Sequence, residues 1–531
     1  MRLQNQRGTL ISGFLHSLGA HPNRVALDLG GQCLTYAELW ERAGRVAHSI
    51  NEYVDRTAPL VGLFAHRSVT AYSGILGILA TGRGYVPLNP KFPIERTLAM
   101  LSASGCKAVI VGSECQESVK VLLPRIKESF LWIFPDTRSS VGKPDFSAHR
   151  VITAKDMRGV AEPCEPRVDN NAPAYLLFTS GSTGTPKGVA VSQGNVTSYL
   201  NFVGPRYALN SDDRCSQNFD LTFDLSVHDL FVCWDAGATL CPCPEQYLVL
   251  VSIIKDKELT VWFSVPSVAI LASKLDLLDA GAFPSLRLSL FCGEALSARL
   301  AADWQRAAPR SILENIYGPT EATIAISHYT WDPDRSPMEC VRGIVPIGWI
   351  FEGQQCCIVD EALSPLPAGE PGELCLAGSQ VTTGYLNDPV RSQQQFVQLP
   401  GSGKTRWYRT GDLAKQDESG CLYFLGRKDQ QVKISGFRVE LQEIEQVLGE
   451  ATNGKLAVAV PWPVSDGTAS GIVAVIRGSD SSDDDHVLKL CEARLPKYMV
   501  PARIYHMEDL PLNVSGKVDR QKIALLIDSM E

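Results

Sequence analysis

A chain of 531 residues is too long for one ordinary hydrophobic core and predicts more than one domain. Its 45% apolar and 20% charged residues are ordinary for a soluble globular protein. Fifty basic against 58 acidic side chains give a net charge of −8 without a basic face or tail, which argues against nucleic acid as a partner.

From the N-terminus onward, the segment MRLQNQRGTLISGFLHSLGAHPNR lacks the apolar run of a signal peptide. No stretch approaches the ~18 apolar residues of a membrane span. The expected setting is therefore cytoplasmic, with no membrane partner. Short β-rich runs then alternate with amphipathic stretches, which predicts α/β layers. Strands are expected at 25–29, 60–64, 107–111 and 174–178, and helices at 36–50 behind Thr35 and at 94–102 after Pro93.

Over 366–425 glycine and proline punctuate short strands at 372–377 and 421–425, the pattern of a β-rich subdomain. The residues after Gly426 read as strand, helix (441–448), strand (456–460), strand (471–475), helix (485–495) and a final loop. This is a small α+β unit, and the division is drawn between a core of 1–428 and a C-terminal domain of 429–531. The acidic run 480–485 reads as a solvated loop. Fifteen cysteines show no disulfide framework, and Cys241 and Cys243 are too close together for a zinc clip. They are expected to be reduced and mostly buried.

The most informative stretch is 174–188, AYLLFTSGSTGTPKG. An apolar strand runs into Thr179, Ser180, Gly181, Ser182, Thr183, Gly184, Thr185, Pro186 and Lys187. Glycines let backbone N–H groups approach anionic oxygens, hydroxyls add donors, and lysine adds positive charge. That is chemistry for holding a polyphosphate. The common P-loop would need Gly where Pro186 stands and Ser or Thr where Gly188 stands. A flexible Ser/Gly linker would not follow an apolar strand or carry Pro-Lys-Gly.

The loop resembles that of the adenylate-forming superfamily, which includes acyl-CoA synthetases, luciferases, nonribosomal peptide adenylation domains and D-alanine–carrier-protein ligases. Further blocks match in the family's order: LTYAELWERA, GILATGRGYVPLNP, NIYGPTEAT, PGELCLAG, YRTGDL, GRKDQQVKISGFRVE and NVSGKVDR. The match runs essentially end to end. It implies a large N-terminal domain of two α/β layers plus a β-subdomain, with a small mobile α+β domain behind it.

The resemblance also implies two half-reactions. A carboxylate attacks the α-phosphate of ATP, and a thiol then attacks the acyl carbon and expels AMP. Glu321 would hold Mg2+ and Thr320 would donate to the α-phosphate. Thr179, Ser180, Gly181, Ser182, Thr183, Gly184 and Lys187 would hold the phosphates. Tyr317 would stack on adenine, with Asn315 and the turn Gly293, Glu294, Ala295 near the base. Asp412 and Arg427 would contact the ribose. Lys517 is similar to the lysine that bridges the substrate carboxylate and the α-phosphate, and Asp429 to the hinge of the mobile domain.

Asp224, in DLTFDLSVHDLF, decides the substrate class. The resemblance places it where amino-acid-activating members pair a carboxylate with the α-ammonium. A buried carboxylate without a cation would be costly, so the pairing has a physical reason. The remaining pocket positions carry over to Leu225, His228, Phe263, Leu290, Cys292, Ile316, Ile324 and Ala325. Their walls are mainly apolar without a second charge, which implies a small neutral amino acid of the proline or alanine class. His228 and Ile316 depart from the methionine and threonine of a D-alanyl ligase, which leaves D-alanine in doubt.

No phosphopantetheine attachment motif is present, so a phosphopantetheinylated carrier protein acting in trans, or a small-molecule thiol, is expected. A carboxylate–CoA ligase for a non-amino acid and a nucleotide-binding scaffold without turnover are the competing readings. Asp224 argues against the first. The presence of Lys187, Glu321, Asp412, Arg427 and Lys517 argues against the second.

Overall fold

The computed structural model describes residues 8–137, 149–181, 186–244, 252–452, 454–465, 468–478, 483–512 and 518–530. These form five sheets. The first has seven strands in the order Arg150–Thr153, Leu131–Phe134, Ala108–Val111, Leu60–Phe64, Gly84–Leu88, Pro173–Thr179 and Lys187–Ser192. Its pairs are parallel except for the last. Runs such as LVGLF, AVIV and LWIF are buried at every position, as helices on both faces of a parallel sheet demand.

The second sheet has nine strands. Its centre, Ile312–Tyr317, Leu288–Phe291, Val261–Ser264, Arg214–Gln217, Thr239–Pro242 and Val25–Asp28, is parallel throughout. Tyr36–Tyr53 begins behind Thr35, where Thr35 and Glu38 complete a reciprocal capping box.

A five-stranded antiparallel sheet contains Gly372–Gly378, Trp407–Gln416 and Leu422–Arg427, the β-rich subdomain read from the glycine and proline pattern. Beyond it, a separate core gathers Ile434, Val439, Ile444, Leu448, Ala474 and Cys491. A four-stranded sheet carries the hairpin of Gln431–Ile434 and Phe437–Glu440, and a three-stranded sheet holds Ala457–Pro461, Ile472–Arg477 and Ile504–Met507. The architecture is a large α/β domain with a β-subdomain, followed by a small α+β domain.

Two local expectations are corrected. The final loop contains a strand, Ile504–Met507, and a helix, Arg520–Asp528. Asp519 caps that helix, and Ile523 and Ile527, one turn apart, bury its apolar edge. Of the acidic run, 480–482 lie outside the described residues, whereas Asp484 and Asp485 form the first turn of the helix Asp484–Arg494 rather than a loop, where the N-terminal dipole favours acids. All fifteen cysteines are free thiols, and most are buried.

Candidate active site

Parallel sheets place ligand-binding loops at the carboxyl ends of their strands. Here the loop beginning at Ser180 leaves Pro173–Thr179, the segment to Asp224 leaves Arg214–Gln217, the Gly293 turn leaves Leu288–Phe291, and Gly318–Thr323 leave Ile312–Tyr317. The sheets therefore aim four sequence-distant motifs at one cleft.

Asp224 is buried just before the helix Leu225–Asp235. Its Oδ2 accepts the backbone N–H of Ile324 at 3.2 Å, and the Thr320 side chain also bonds the carboxylate. Thr323 and Ile324 reach it with φ of 58° and 71°. Consecutive left-handed β-branched residues are strained, and the Thr323 hydroxyl holds them by donating to the Gln380 carbonyl at 2.5 Å. Burial pushes the Asp224 carboxyl up to about 6, against the hydrogen bonds from Ile324 and Thr320.

Leu225, His228, Phe263, Leu290, Cys292, Ile316, Ile324 and Ala325 are all buried. Phe263 and Leu290 are register partners on adjacent strands, and the His228 ring meets Phe263 edge-on at 4.8 Å. His228 Nδ1 pairs with the Tyr199 hydroxyl at 2.6 Å, and burial alone drives the imidazole down to about 3. His228 is therefore neutral, and these walls carry no charge beside Asp224.

Glu321 is fully buried, yet ionised. Burial opposes its charge, but Arg438, Lys187 and the Tyr385 hydroxyl outweigh it and hold the carboxyl at about 2. Arg438 donates to both carboxylate oxygens at 3.1 and 2.9 Å, and Tyr385 donates at 2.7 Å. Lys187 sits 3.6 Å from Glu440 and 5.4 Å above the Tyr385 ring centre. Burial and the like charge of Arg438 bring Lys187 down to about 8.

At the other end of the cleft the Tyr317 hydroxyl donates to Asp412, and Arg427 donates to Asp412 at 2.5 Å. Arg427 also forks onto Asp429 with two bonds of 2.7 Å. The Asn315 amide donates to the carbonyls of Val345 and Pro346 at 3.4 and 2.9 Å, which anchors its strand to the segment entering the β-subdomain. Glu294 accepts the N–H groups of Ser267 at 2.8 Å and Gly436 at 2.6 Å. Ala295 follows in the same turn, and the Thr179 hydroxyl is buried without a hydrogen-bond partner among the described residues. Ser182, Thr183, Gly184 and Lys517 lie outside the described residues.

The small domain contributes more than the motif alone indicated. Ser180 Oγ donates to the Arg438 carbonyl at 2.6 Å, and the Gly181 N–H reaches Glu443 at 3.3 Å. Glu443 also closes a buried ion pair with Arg96 at 2.7 Å. Lys433, Arg438 and Tyr385 were not singled out from sequence. Lys433 and Arg438 lie in GRKDQQVKISGFRVE, where the alternation of QVKISGFRVE is the only signal that marks them. Nothing local in TTGYLND marks Tyr385.

Comparison with known proteins agrees with this geometry. Residues 14–386 match the family described as AMP-binding enzyme. The chain is 30% identical over 516 residues to the D-alanine–D-alanyl carrier protein ligase of Lacticaseibacillus casei, covering 95% of this chain and 96% of that protein. It is 34% identical to a part of tyrocidine synthase 3 from Brevibacillus parabrevis, covering 94% of this chain but 7% of the synthase. The structure superposes on the Vibrio cholerae adenylation domain AlmE, solved with glycyl-adenosine-5'-phosphate, with a TM-score of 0.88 and 33% identity, over 100% and 99% of the two chains. The matched span and the cleft built from the same ordered motifs lead to one assignment: the chain belongs to the AMP-binding, adenylate-forming enzyme family.

Proposed function

We propose that this enzyme joins ATP to a small neutral amino acid as an aminoacyl adenylate and passes the acyl group to the phosphopantetheine thiol of a carrier protein supplied in trans. The observation that carries the reading is Asp224: a buried carboxylate at the edge of an apolar pocket whose walls add no charge. The substrate ammonium is the cation such a group requires. Phe263, the neutral His228–Tyr199 pair and Leu290 leave no counter-charge for an acidic or basic side chain. The likeness to a D-alanyl ligase and to a domain holding a glycyl adenylate supports a short side chain, so glycine joins alanine and proline as candidates.

In the first half-reaction a substrate carboxylate oxygen bonds to the α-phosphorus as the bond to the β-phosphate oxygen breaks and pyrophosphate departs. Lys187, with the hydroxyls and N–H groups of the loop 179–184, holds the phosphates, and Thr320, which lies beside Asp224, donates to the α-phosphate. Asp412 and Arg427 hold the ribose end, and Asp429 is the pivot of the small domain. Among the described residues no group of three or more His, Cys, Asp or Glu converges. A Mg2+ ion would therefore be held by the ionised Glu321 together with nucleotide phosphates, an oxygen-rich setting that fits this ion. Bound there, it would supply charge neutralisation.

In the second half-reaction the thiol sulfur bonds to the acyl carbon, the acyl–phosphate oxygen bond breaks, AMP departs, and the thiol proton passes to solvent. A cavity of about 520 Å³ between the domains, lined in part by Asn218, Phe223, Val265, Gly436 and Tyr498, supports entry of a long thiol-bearing arm.

The test is pyrophosphate exchange across the proteinogenic amino acids and D-alanine, with short fatty and aryl acids alongside. Exchange driven by one or two small amino acids is expected. Exchange driven only by the acids lacking an amino group would replace this reading with a carboxylate–CoA ligase.

A further inference from the structure

The walls assigned to the substrate side chain leave it almost no room. A pocket able to hold a methyl group, or a water, exposes the atoms that line it. Here Leu290, Ile324 and Ala325 are 0% exposed, Phe263 and Ile316 1%, and His228 2%. Leu225 and Asp224, at the end assigned to the substrate ammonium, reach 5% and 6%. On one side Gly318 presses on Ala325, and a Cβ there would lie 2.5 Å from the Ala325 Cα. On the other side His228 takes the space. Its ring meets Phe263 edge-on at 4.8 Å, and the rings of Tyr199 and Tyr207 at 6.0 and 5.9 Å. Both tyrosines are held in turn. The Tyr199 hydroxyl pairs with His228 Nδ1 at 2.6 Å, and its ring backs onto Phe351 at 6.2 Å, which stacks on Phe202 at 4.0 Å. The Tyr207 hydroxyl donates to the buried Glu314 at 3.2 Å, and Glu314 also accepts from Arg206 Nε at 3.2 Å and from the Thr330 hydroxyl at 2.8 Å. Glu314 is the register partner of Leu290, so this network sits directly beside the strand that supplies that wall.

We infer that Tyr199 determines specificity: by holding the His228 imidazole in the place of a substrate side chain, it restricts the enzyme to glycine, with alanine a poor second. The inference rests on the amino-acid reading proposed above and narrows it. Tyr199 is a positioning residue, which acts through His228 and does not touch the substrate. The physical basis is packing and pairing. A larger side chain enters only if the imidazole leaves, and that imidazole is the partner of the Tyr199 hydroxyl among the described residues. Its departure strands a buried hydroxyl. It also breaks three ring contacts in an interior packed as densely as an organic crystal. Because burial keeps His228 neutral, the imidazole fills the space without adding a charge that an acidic side chain could use.

The experiment is pyrophosphate exchange with the full chain, reading kcat/KM for glycine, alanine of either hand, valine and proline, with acetate and propionate alongside. Wild type is expected to favour glycine over alanine by about tenfold, and over valine and proline by about a hundredfold or more. His228→Ala removes the plug, so the valine-to-glycine ratio rises about a hundredfold. Tyr199→Phe keeps the ring and removes the hydroxyl alone, so the alanine-to-glycine ratio rises about tenfold. A ratio of two substrates on one protein does not depend on the fraction folded, so a merely structural role for Tyr199 leaves it unmoved. Tyr199→Phe also carries the test if His228→Ala fails to fold. Wild-type preference for alanine, valine or proline over glycine overturns the inference, as does an unchanged alanine-to-glycine ratio in Tyr199→Phe. Exchange driven by acetate or propionate and by no amino acid would instead remove the amino-acid reading itself, so the two failures are distinguishable.

Discussion

The Asp224 carboxylate accepts the backbone N–H of Ile324, 100 residues along the chain, at 3.2 Å. Two left-handed residues, Thr323 and Ile324, carry that N–H into place. This contact and the bond from the Thr320 side chain fix the carboxylate in a position where burial makes the charge expensive.

Asp224→Asn keeps the shape and removes the charge. Breaking one side of a desolvated pair costs ~3–5 kcal/mol, so kcat/KM for the best amino acid should fall by ~10²–10³. The corresponding des-amino acid, propionate for alanine, should gain relative to it because it brings no unpaired cation. Adenylate formation measured with both acids on both proteins checks this, and an unchanged preference would sink the amino-acid reading.

The same residue sets a pH dependence. With its free-enzyme value pushed up to about 6, Asp224 protonates as the pH falls through that point. Amino-acid kcat/KM should then drop about tenfold per unit below it, and Asp224→Asn should lack this limb. Stability follows the opposite sense. A raised folded-state value means that the ionised group costs stability above about pH 6, and the cost disappears toward its ordinary value. Any Tm advantage of Asp224→Asn at pH 7 should shrink as the pH falls, which calorimetry across pH 4–7 would read.

Lys187 predicts the alkaline limb. Burial and Arg438 hold its ammonium down to about 8, so the charge available to ATP is lost as the pH rises through that value. kcat/KM for ATP should decline above it in wild type, and Lys187→Arg should carry the plateau to higher pH because arginine does not titrate there. Persistence of the same limb in Lys187→Arg would assign it to another group.

Lys517→Ala separates the half-reactions. Loss of a preorganised charge at the α-phosphate costs ~3–4 kcal/mol, so adenylation should fall by at least ~10² while thioester formation from pre-made adenylate survives. Rapid-quench assays of the two steps decide it. Equal losses in both would remove Lys517 from the role.

Asp429→Pro tests the pivot. Proline fixes φ, and the carboxylate that accepts from Arg427 and from the Gln431 N–H at 3.1 Å is lost with it. Pyrophosphate exchange should persist while carrier loading fails. Normal rates in both reactions would place the pivot elsewhere.

Much of the scaffold was legible in the sequence because its signals are local. Apolar runs marked parallel strands, Thr35 marked a helix start, and glycine and proline marked the β-subdomain. The ordered motifs identified the chemistry, since a glycine-rich phosphate loop must be contiguous to cradle a polyphosphate. The final strand Ile504–Met507 was missed because its pairing partner, Ile472–Arg477, lies outside any local window.

Tertiary structure alone decided which charges meet. Nothing near Glu321 in the chain announces Arg438, 117 residues away, and nothing near Thr323 shows that its strained backbone serves Asp224. Periodicity specifies which face of a strand is buried, whereas pairing between buried ions depends on where two domains bring those faces together. The sequence alone therefore determined the fold class and the family, and the packing of the small domain decided that Arg438 neutralises Glu321.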